Sequence, residues 1–369
     1  MSSRLEQLRS LGQSIWYDNI RRGQLRSGEM QALVDRGVSG LTSNPAIFAK
    51  AIGGSNDYDD ALRRLAGEGL DPERIFEALA VEDIQAAADI LRPVYERSGR
   101  TDGFVSLEVS PLLAHDTPGT VEAARRLWGR VDRPNLMIKV PATPEGFPAV
   151  RTLIGEGINV NTTLIFALEA YRRTADAFLS GLEDRARAGG DLSHVASVAS
   201  FFVSRVDTLV DKWLDERGAD RDASLAELKG RAAVANAKLA YGIYGEIFGG
   251  ERFRALAGAQ KQRVLWASTS TKNPAYRDVI YVEELIGPDT VNTVPPQTLE
   301  ALEDHGVVKE TLTQGLDEAS AHLERLAGVG IDMDRVTAKL LADGVTAFAE
   351  PFEDLLGKIR TKCEALLQA

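Results

Sequence analysis

The sequence predicts an α/β fold, a closed (β/α)8 TIM barrel with additional helices, and three observations lead to this prediction. Eight short apolar segments alternate along the chain with longer segments of helical periodicity. A repeated strand–helix order requires parallel strands joined by helical crossovers. The length of 369 residues exceeds the ~250 residues of a plain barrel, which leaves room for added helices.

The predicted strands are short runs of apolar and β-branched residues, as expected for parallel strands that are buried on both faces. They comprise residues 13–18, 37–42, 103–109, 136–140, 158–164, 195–203, 263–268 and 290–294. Helical periodicity fills the segments between them. The predicted helices comprise residues 29–35, 58–66, 72–97, 120–131, 144–155, 168–188, 206–216, 223–248 and 276–285.

The excess length lies in a long connection between the second and third strands and in the segment after the eighth strand. Four further helices are predicted there, at 297–302, 309–326, 333–348 and 351–367. No flexible linker separates this segment from the barrel. We therefore expect a single domain spanning residues 1–369, in which residues 297–369 are mostly C-terminal helices packed on the barrel.

Composition excludes several classes of function. A net charge of −11 argues against binding to nucleic acid or to an anionic membrane. The single cysteine, Cys363, cannot form an intrachain disulfide and indicates a reducing cytoplasm. The four histidines form no cluster with cysteines or carboxylates, which argues against a transition-metal site. No stretch reaches the ~18 apolar residues of a membrane span.

Lys139 is the most informative residue, because it lies inside the apolar run Met137-Ile138-Lys139-Val140. Lysine is almost never fully buried without a partner. Desolvation favours the neutral amine, which can attack a ketone and form a Schiff base. The alternative is a structural lysine at a strand end, with a buried stem and a head group that reaches water.

Polar side chains recur at the predicted carboxyl ends of the strands, where barrel enzymes place their catalytic groups. They are Asp18, Asn44, Glu108, Lys139, Asn161, Thr163, Ser200, Arg205 and Lys272. Since residues two apart in a strand share a face, Asn161 and Thr163 point the same way. We expect this set to converge on one site.

Most of these residues also have a purely structural interpretation. Asp18 is suited to cap a helix, and Asn44 before Pro45 to form a turn. Glu108 is suited to a buried salt bridge, because an unpaired buried carboxylate is costly. Asn161 and Thr163 are suited to a buried polar network that serves the fold alone. Arg205 and Lys272, taken singly, are typical of solvated surface charges.

Seven segments in order resemble the longer bacterial form of transaldolase, and they cover nearly the whole chain. They read SIWYDNI, GVSGLTSNPAIFAKAI, VSLEVSP, LMIKVPATPEG, GINVNTTLIF, SVASFFVSRVD and STSTKNPAY. The resemblance implies the class I aldolase-like barrel and a sugar-phosphate substrate. It implies no metal and no organic cofactor, because the lysine imine is itself the electron sink.

The resemblance also implies roles for individual residues. Lys139 matches the Schiff-base lysine, and Asp18 the acid/base aspartate after the first strand. Glu108 and Thr163 match the pair that moves protons through a water molecule. Asn44, Asn161 and Ser200 match residues that bind the dihydroxyacetone part of the substrate. Arg205 matches a phosphate-binding arginine, and Lys272 stands near the place where the shorter form of the family has a second one.

The implied reaction transfers a dihydroxyacetone unit from sedoheptulose 7-phosphate to glyceraldehyde 3-phosphate, giving erythrose 4-phosphate and fructose 6-phosphate. Three alternatives remain open at this point. A lyase of the fructose 6-phosphate aldolase type uses the same imine, a silent barrel binds sugar phosphates without catalysis, and a metal-assisted aldolase needs a cation. We expect a monomer or homodimer with no nucleic-acid or membrane partner.

Overall fold

The computed structural model of the chain describes residues 2–368, in which eight parallel strands close into a barrel in sequential order. The predicted (β/α)8 barrel is thereby confirmed. The strands are β1 Gln13–Asp18, β2 Gly40–Thr42, β3 Val105–Glu108, β4 Leu136–Pro141, β5 Val160–Ile165, β6 Ser197–Phe202, β7 Arg263–Ala267 and β8 Thr290–Val294. Every residue of β4, β5 and β6 is buried, as expected for parallel strands that are covered on both faces.

Helices occupy the connections and the segment after β8. They are α1 Arg4–Ser10, α2 Arg22–Ser27, α3 Glu29–Arg36, α4 Pro45–Gly53, α5 Asp59–Gly67, α6 Pro72–Arg97, α7 Thr117–Val131, α8 Gly146–Glu156, α9 Leu168–Arg187, α10 Ser204–Glu216, α11 Ala223–Ala226, α12 Ala232–Phe248, α13 Glu251–Arg254, α14 Ile280–Glu283, α15 Pro296–His305, α16 Leu316–Gly328 and α17 Met333–Gln368. A short 3-10 turn covers Pro111–Leu113.

Several helices begin at signals that the sequence displays. The side chains of Asn44 and Asp71 accept hydrogen bonds from the backbone amides of Ile47 and Arg74, both at 2.9 Å. Each cap is followed directly by proline, which suits the first helical position because its missing N–H would have no partner there. These two caps start α4 and α6, the helices that make the β2–β3 connection long.

Several predicted helices differ from the observed ones in continuity or length. The predicted helix 223–248 is interrupted between α11 and α12, where Gly230 has a left-handed φ of 70°. The predicted helix 276–285 is reduced to the four residues of α14, and Tyr276, whose hydroxyl binds a carboxylate of a neighbouring helix, lies outside it. The helices predicted at 333–348 and 351–367 form one helix, α17, which continues through Pro351.

The long helix α17 lies across the carboxyl end of the barrel. It packs on α4, α5, α6 and α10 and reaches the strand β5. Gly344 permits the close approach, because a Cβ atom there would lie 3.0 Å from Leu164 Cδ2. Packing of this kind offsets the hydrogen bond that Pro351 cannot donate. The C-terminal segment therefore forms part of the barrel mouth.

Within residues 2–368, no helix has the length and apolar character needed to cross a membrane.

Candidate active site

A cavity of about 240 Å³ opens at the carboxyl end of the barrel, beneath α17. Seven of the nine predicted site residues lie around it: Asp18, Asn44, Lys139, Thr163, Ser200, Arg205 and Lys272. Glu108 and Asn161 lie beside these residues, since Glu108 contacts Lys139 and Asn161 contacts Ser200. The polar strand ends thus converge as expected, because all eight strands run in the same direction.

The strand register explains how Lys139 meets its neighbours. Glu108 of β3 is aligned with Lys139 of β4, which is aligned with Asn161 of β5. Aligned residues of adjacent parallel strands project from the same face of the sheet. The three side chains therefore stand side by side on the inner surface of the barrel.

Lys139 is buried and paired. Its side chain is 6% exposed, and Nζ lies 3.2 Å from Glu108 Oε2. Nζ also donates to the backbone carbonyl of Ser43 at 3.2 Å. The ring of Phe348 from α17 covers the amine, with its centroid 5.7 Å from Nζ. The surroundings are those of an amine held away from bulk water and aimed into the cavity.

Glu108 is a buried carboxylate, and within residues 2–368 its ion-pair partner is Lys139. Burial raises the pKa of Glu108 above its ordinary value, and the adjacent Lys139 ammonium opposes this increase. Glu108 therefore does form the buried salt bridge considered above, but its partner is Lys139, the candidate nucleophile. A carboxyl whose pKa moves towards neutrality is suited to exchange protons with a reacting amine.

Asp18 does not cap a helix. Its Oδ1 accepts a hydrogen bond from Thr42 Oγ1 at 2.7 Å, and Thr42 also contacts Thr293 Oγ1 at 2.6 Å. Burial raises the pKa of Asp18, whereas the charges of Lys139 and Lys272 and the hydroxyl of Thr42 lower it. The carboxyl thus faces the cavity between two lysines and is held in place by a threonine of the next strand.

Asn161 and Ser200 form part of a buried polar chain. Ser200 Oγ donates to Asn161 Oδ1 at 2.6 Å, and Asn161 Nδ2 donates to Ser106 Oγ at 3.0 Å. The structural interpretation of Asn161 is therefore supported, although Ser200 also lines the cavity. Asn44 likewise has a structural contact and a place at the cavity, since its Oδ1 caps α4 and the residue lines the cavity.

Thr163 lines the cavity with a hydroxyl that is free to bind a reactant or water. Its Oγ1 is buried and has no hydrogen-bond partner among residues 2–368. Buried polar atoms normally find such a partner. Thr163 therefore is not accounted for by a polar network that serves only the fold.

Arg205 and Lys272 make one part of the cavity wall cationic. Arg205 is the second residue of α10, and its guanidinium lies 5.5 Å from the centre of the Phe202 ring. Lys272 Nζ donates to Ser270 Oγ at 2.6 Å. Both side chains line the same cavity, with Arg205 half-buried and Lys272 exposed. Desolvation and the charge of Arg205 lower the pKa of Lys272. Such a pair next to a helix N-terminus favours a phosphate group.

Sequence reasoning missed Thr42, Thr293 and Phe348. The two threonines stand at predicted strand ends beside Asp18, so their positions were available as a signal. Phe348 offered none, because the helical pattern of α17 does not reveal which element the helix covers.

Among the described residues, no group of three or more His, Cys, Asp or Glu side chains is arranged to hold a metal ion.

Comparison with known proteins places this geometry in context. The family model described as Transaldolase/Fructose-6-phosphate aldolase matches residues 15–359. A protein named Transaldolase from Thermobifida fusca is 50% identical over 369 residues, covering 99% of this chain and 100% of that protein. Another protein named Transaldolase, from Thiobacillus denitrificans, is 51% identical over 352 residues, covering 95% and 97%. One from Acidothermus cellulolyticus is 49% identical over 368 residues, covering 99% and 98%.

Proposed function

Because the chain belongs to the transaldolase/fructose-6-phosphate aldolase family, we propose that it is a transaldolase of the non-oxidative pentose phosphate pathway. It transfers a dihydroxyacetone unit between sedoheptulose 7-phosphate and glyceraldehyde 3-phosphate through a lysine imine. The observation that carries this proposal is Lys139, buried against Glu108 in a cavity that also contains Arg205 and Lys272.

In the first stage, the neutral Lys139 amine attacks the C2 carbonyl of the ketose phosphate. The carbinolamine loses water to give an iminium ion. Glu108 exchanges the protons that this step requires, through a water molecule bound by Thr163. The position of Glu108 Oε2, 3.2 Å from Nζ, and the unpartnered hydroxyl of Thr163 support these roles.

In the second stage, the Asp18 carboxylate takes the proton from the C4 hydroxyl, and the C3–C4 bond breaks. The electrons of that bond flow into the iminium, so an aldose phosphate leaves and a three-carbon enamine stays on Lys139. The enamine then attacks the aldehyde of the acceptor, Asp18 returns the proton, and hydrolysis of the imine releases the new ketose. Release of one product before the acceptor binds requires ping-pong kinetics.

The terminal phosphate is held by Arg205 and Lys272, and the dihydroxyacetone part by Asn44, Asn161 and Ser200. The cationic cavity wall supports the first assignment. Binding energy from the remote phosphate then orients C2 towards Lys139. We further propose a cytoplasmic enzyme, since the single cysteine precludes intrachain disulfides. No nucleic-acid or membrane partner is proposed, and the assembly is a monomer or homodimer.

The alternative is a lyase of the fructose 6-phosphate aldolase type, which the family description also contains. Such an enzyme hydrolyses the three-carbon imine to free dihydroxyacetone without an acceptor. Relatives that align over the full length of the chain are named transaldolases, which favours transfer. The two reactions differ in whether turnover requires an aldose acceptor.

Borohydride trapping tests the proposal. Incubation with fructose 6-phosphate and reduction should leave a dihydroxyacetone-sized adduct on Lys139 in peptide mass spectra, with release of glyceraldehyde 3-phosphate. Lys272, which lines the same cavity, is an internal control and should remain unmodified. In a parallel reaction without borohydride, erythrose 4-phosphate should permit continuous turnover and yield sedoheptulose 7-phosphate. Absence of the adduct would refute imine chemistry, and free dihydroxyacetone as the main product would favour the lyase.

Replacement of Arg205 by alanine tests the phosphate assignment. Hydrogen bonds to charged groups contribute ~1.5–3 kcal/mol, so KM for fructose 6-phosphate should rise roughly 10- to 100-fold. Imine trapping with dihydroxyacetone, which has no phosphate, should be unchanged. Lys212→Ala is the matched control, because Lys212 is an exposed cation of the same helix that pairs with Glu216. If Arg205→Ala impaired the reaction of fructose 6-phosphate and imine trapping with dihydroxyacetone to the same extent, a phosphate-binding role would be contradicted.

A further inference from the structure

The segment between β7 and β8 is attached to α10 by two tyrosines. Tyr276 donates its hydroxyl to Asp211 Oδ2 at 2.6 Å, and Tyr281 donates to Asp207 Oδ2 at 2.8 Å. The two carboxylates are four residues apart and lie one turn apart on the same face of α10. These four residues are called the tyrosine–aspartate clamp below.

The second oxygen of each carboxylate accepts a hydrogen bond from the backbone at the start of α12 or just before it. Asp207 Oδ1 accepts from the backbone amide of Ala233 at 2.8 Å, and Asp211 Oδ1 accepts from Gly230 at 2.9 Å. Gly230 also approaches the ring of Tyr276 closely, since a Cβ atom there would be 2.7 Å from Tyr276 Cζ. The clamp therefore joins three segments at one point.

The clamp contains two buried carboxylates, whose desolvation costs free energy. Asp207 is 1% exposed and Asp211 7% exposed, and neither forms a salt bridge within residues 2–368. Burial raises the pKa of Asp207 to about 7, although the hydrogen bonds from Ala233 and Tyr281 oppose the increase. Apolar side chains of similar volume often stabilise a fold at least as well as buried charges. What distinguishes hydrogen-bonded carboxylates is the fixed geometry that they impose.

The two segments joined by the clamp carry Arg205 and Lys272, the two cations of the cavity that are assigned to the phosphate group. Arg205 lies two residues before Asp207, and Lys272 lies four residues before Tyr276. Both side chains line the same cavity, and their like charges repel each other. Without an attachment on the far side, this repulsion would favour separation of the two segments.

We propose that Asp207, Asp211, Tyr276 and Tyr281 are positioning residues that hold Arg205 and Lys272 at the separation needed to bind one phosphate group. The clamp thereby determines the preference of the enzyme for phosphorylated over unphosphorylated ketones. This inference rests on the proposed function, in which both cations bind the terminal phosphate. It assigns no contact with substrate to the clamp itself.

The test removes one hydroxyl from the clamp. Tyr276→Phe should lower kcat/KM for fructose 6-phosphate about tenfold, a change of ~1.4 kcal/mol, through KM rather than kcat. The inhibition constant of inorganic phosphate should rise by a similar factor. The rate of imine trapping with dihydroxyacetone should stay at the wild-type value. Tyr281→Phe, which removes the second hydroxyl, should have the same pattern.

Tyr244→Phe is the matched control. Its hydroxyl also donates to a carboxylate, Asp289 Oδ2 at 3.0 Å, but Asp289 directly precedes β8 at the amino end of the barrel. Loss of this bond should leave the phosphate inhibition constant unchanged. A general decrease in stability would affect phosphorylated and unphosphorylated ketones alike.

The outcomes separate the inference from the function on which it rests. If phosphate inhibits the wild type and both clamp variants equally, the positioning role is refuted and the proposed function stands. If the clamp variants lose trapping by dihydroxyacetone as much as turnover of fructose 6-phosphate, the clamp serves only packing and the inference is also refuted. If phosphate does not inhibit the wild type, the phosphate assignment of Arg205 and Lys272 is wrong and the inference falls with it.

Discussion

Replacement of Lys139 by alanine is expected to abolish turnover, with a loss that approaches the whole catalytic acceleration, at least ~10⁶-fold. No other group can form the imine from the same place, because Lys139 is the residue aligned with Glu108 and Asn161 on the inner barrel wall. Steady-state transfer between fructose 6-phosphate and erythrose 4-phosphate measures the effect. Borohydride should also leave the variant without an adduct.

The folded barrel should survive this substitution. Without the neighbouring ammonium, the buried carboxyl of Glu108 can take up a proton, since burial already raises its pKa above 4.5. The folded state then binds one more proton than the unfolded chain. Its stability should therefore decrease as the pH rises from about 4.5 through the folded-state pKa of Glu108, and circular dichroism melts at several pH values would detect this.

Lys238→Met is the matched control for Lys139. Lys238 is the other buried lysine of the described chain, 9% exposed, and its Nζ donates to the carbonyl of Gln314 at 3.0 Å. It lies on α12, outside the cavity. Loss of a buried lysine there should affect stability and spare turnover. Measurable transfer by Lys139→Ala would eliminate the Schiff-base assignment.

Replacement of Asp18 by asparagine is expected to slow C–C cleavage by ~10²–10⁴-fold, the usual contribution of a positioned acid–base group. The amide keeps an oxygen to accept the hydrogen bond from Thr42, so the geometry should persist. Imine formation with dihydroxyacetone needs no C–C cleavage and should be nearly unaffected. Single-turnover release of glyceraldehyde 3-phosphate, compared with the trapping rate, separates the two steps.

The pH dependence of cleavage gives this prediction a second measurement. Burial raises the pKa of Asp18 above its ordinary 3.8, and only the carboxylate form can accept the C4 proton. The rate of cleavage by the wild type should therefore decline as the pH falls through the raised pKa of Asp18. In Asp18→Asn, titration of residue 18 should no longer contribute to the pH dependence of the cleavage rate.

Asp116→Asn is a suitable control for Asp18, because Asp116 caps α7 through the amide of Gly119 at 3.0 Å and asparagine caps helices equally well. It should leave both cleavage and trapping unchanged. Equal slowing of cleavage and imine formation in Asp18→Asn would contradict the proposed role.

The clamp shows where sequence reasoning reaches its limit. Asp207 and Asp211 are visibly one turn apart, and both tyrosines stand in a short segment after β7. Their pairing was not predicted, since the sequence pattern placed both tyrosines in a helix at 276–285 and indicated no contact of that helix with α10. Only four residues of this segment are helical, and the hydroxyls of Tyr276 and Tyr281 bind carboxylates of α10.

The sequence by itself determined the barrel and most of the residues proposed here as catalytic groups. Alternating strands and helices require parallel strands, and parallel strands bring Asp18, Glu108 and Lys139 to one end of the barrel. Both consequences can be read from the sequence, since they depend only on local periodicity and chain direction. Only the tertiary structure decided that α17 continues through Pro351 and places Phe348 over Lys139. That outcome depends on the fit between surfaces distant in the chain, such as Gly344 against Leu164, and no local pattern records such a fit.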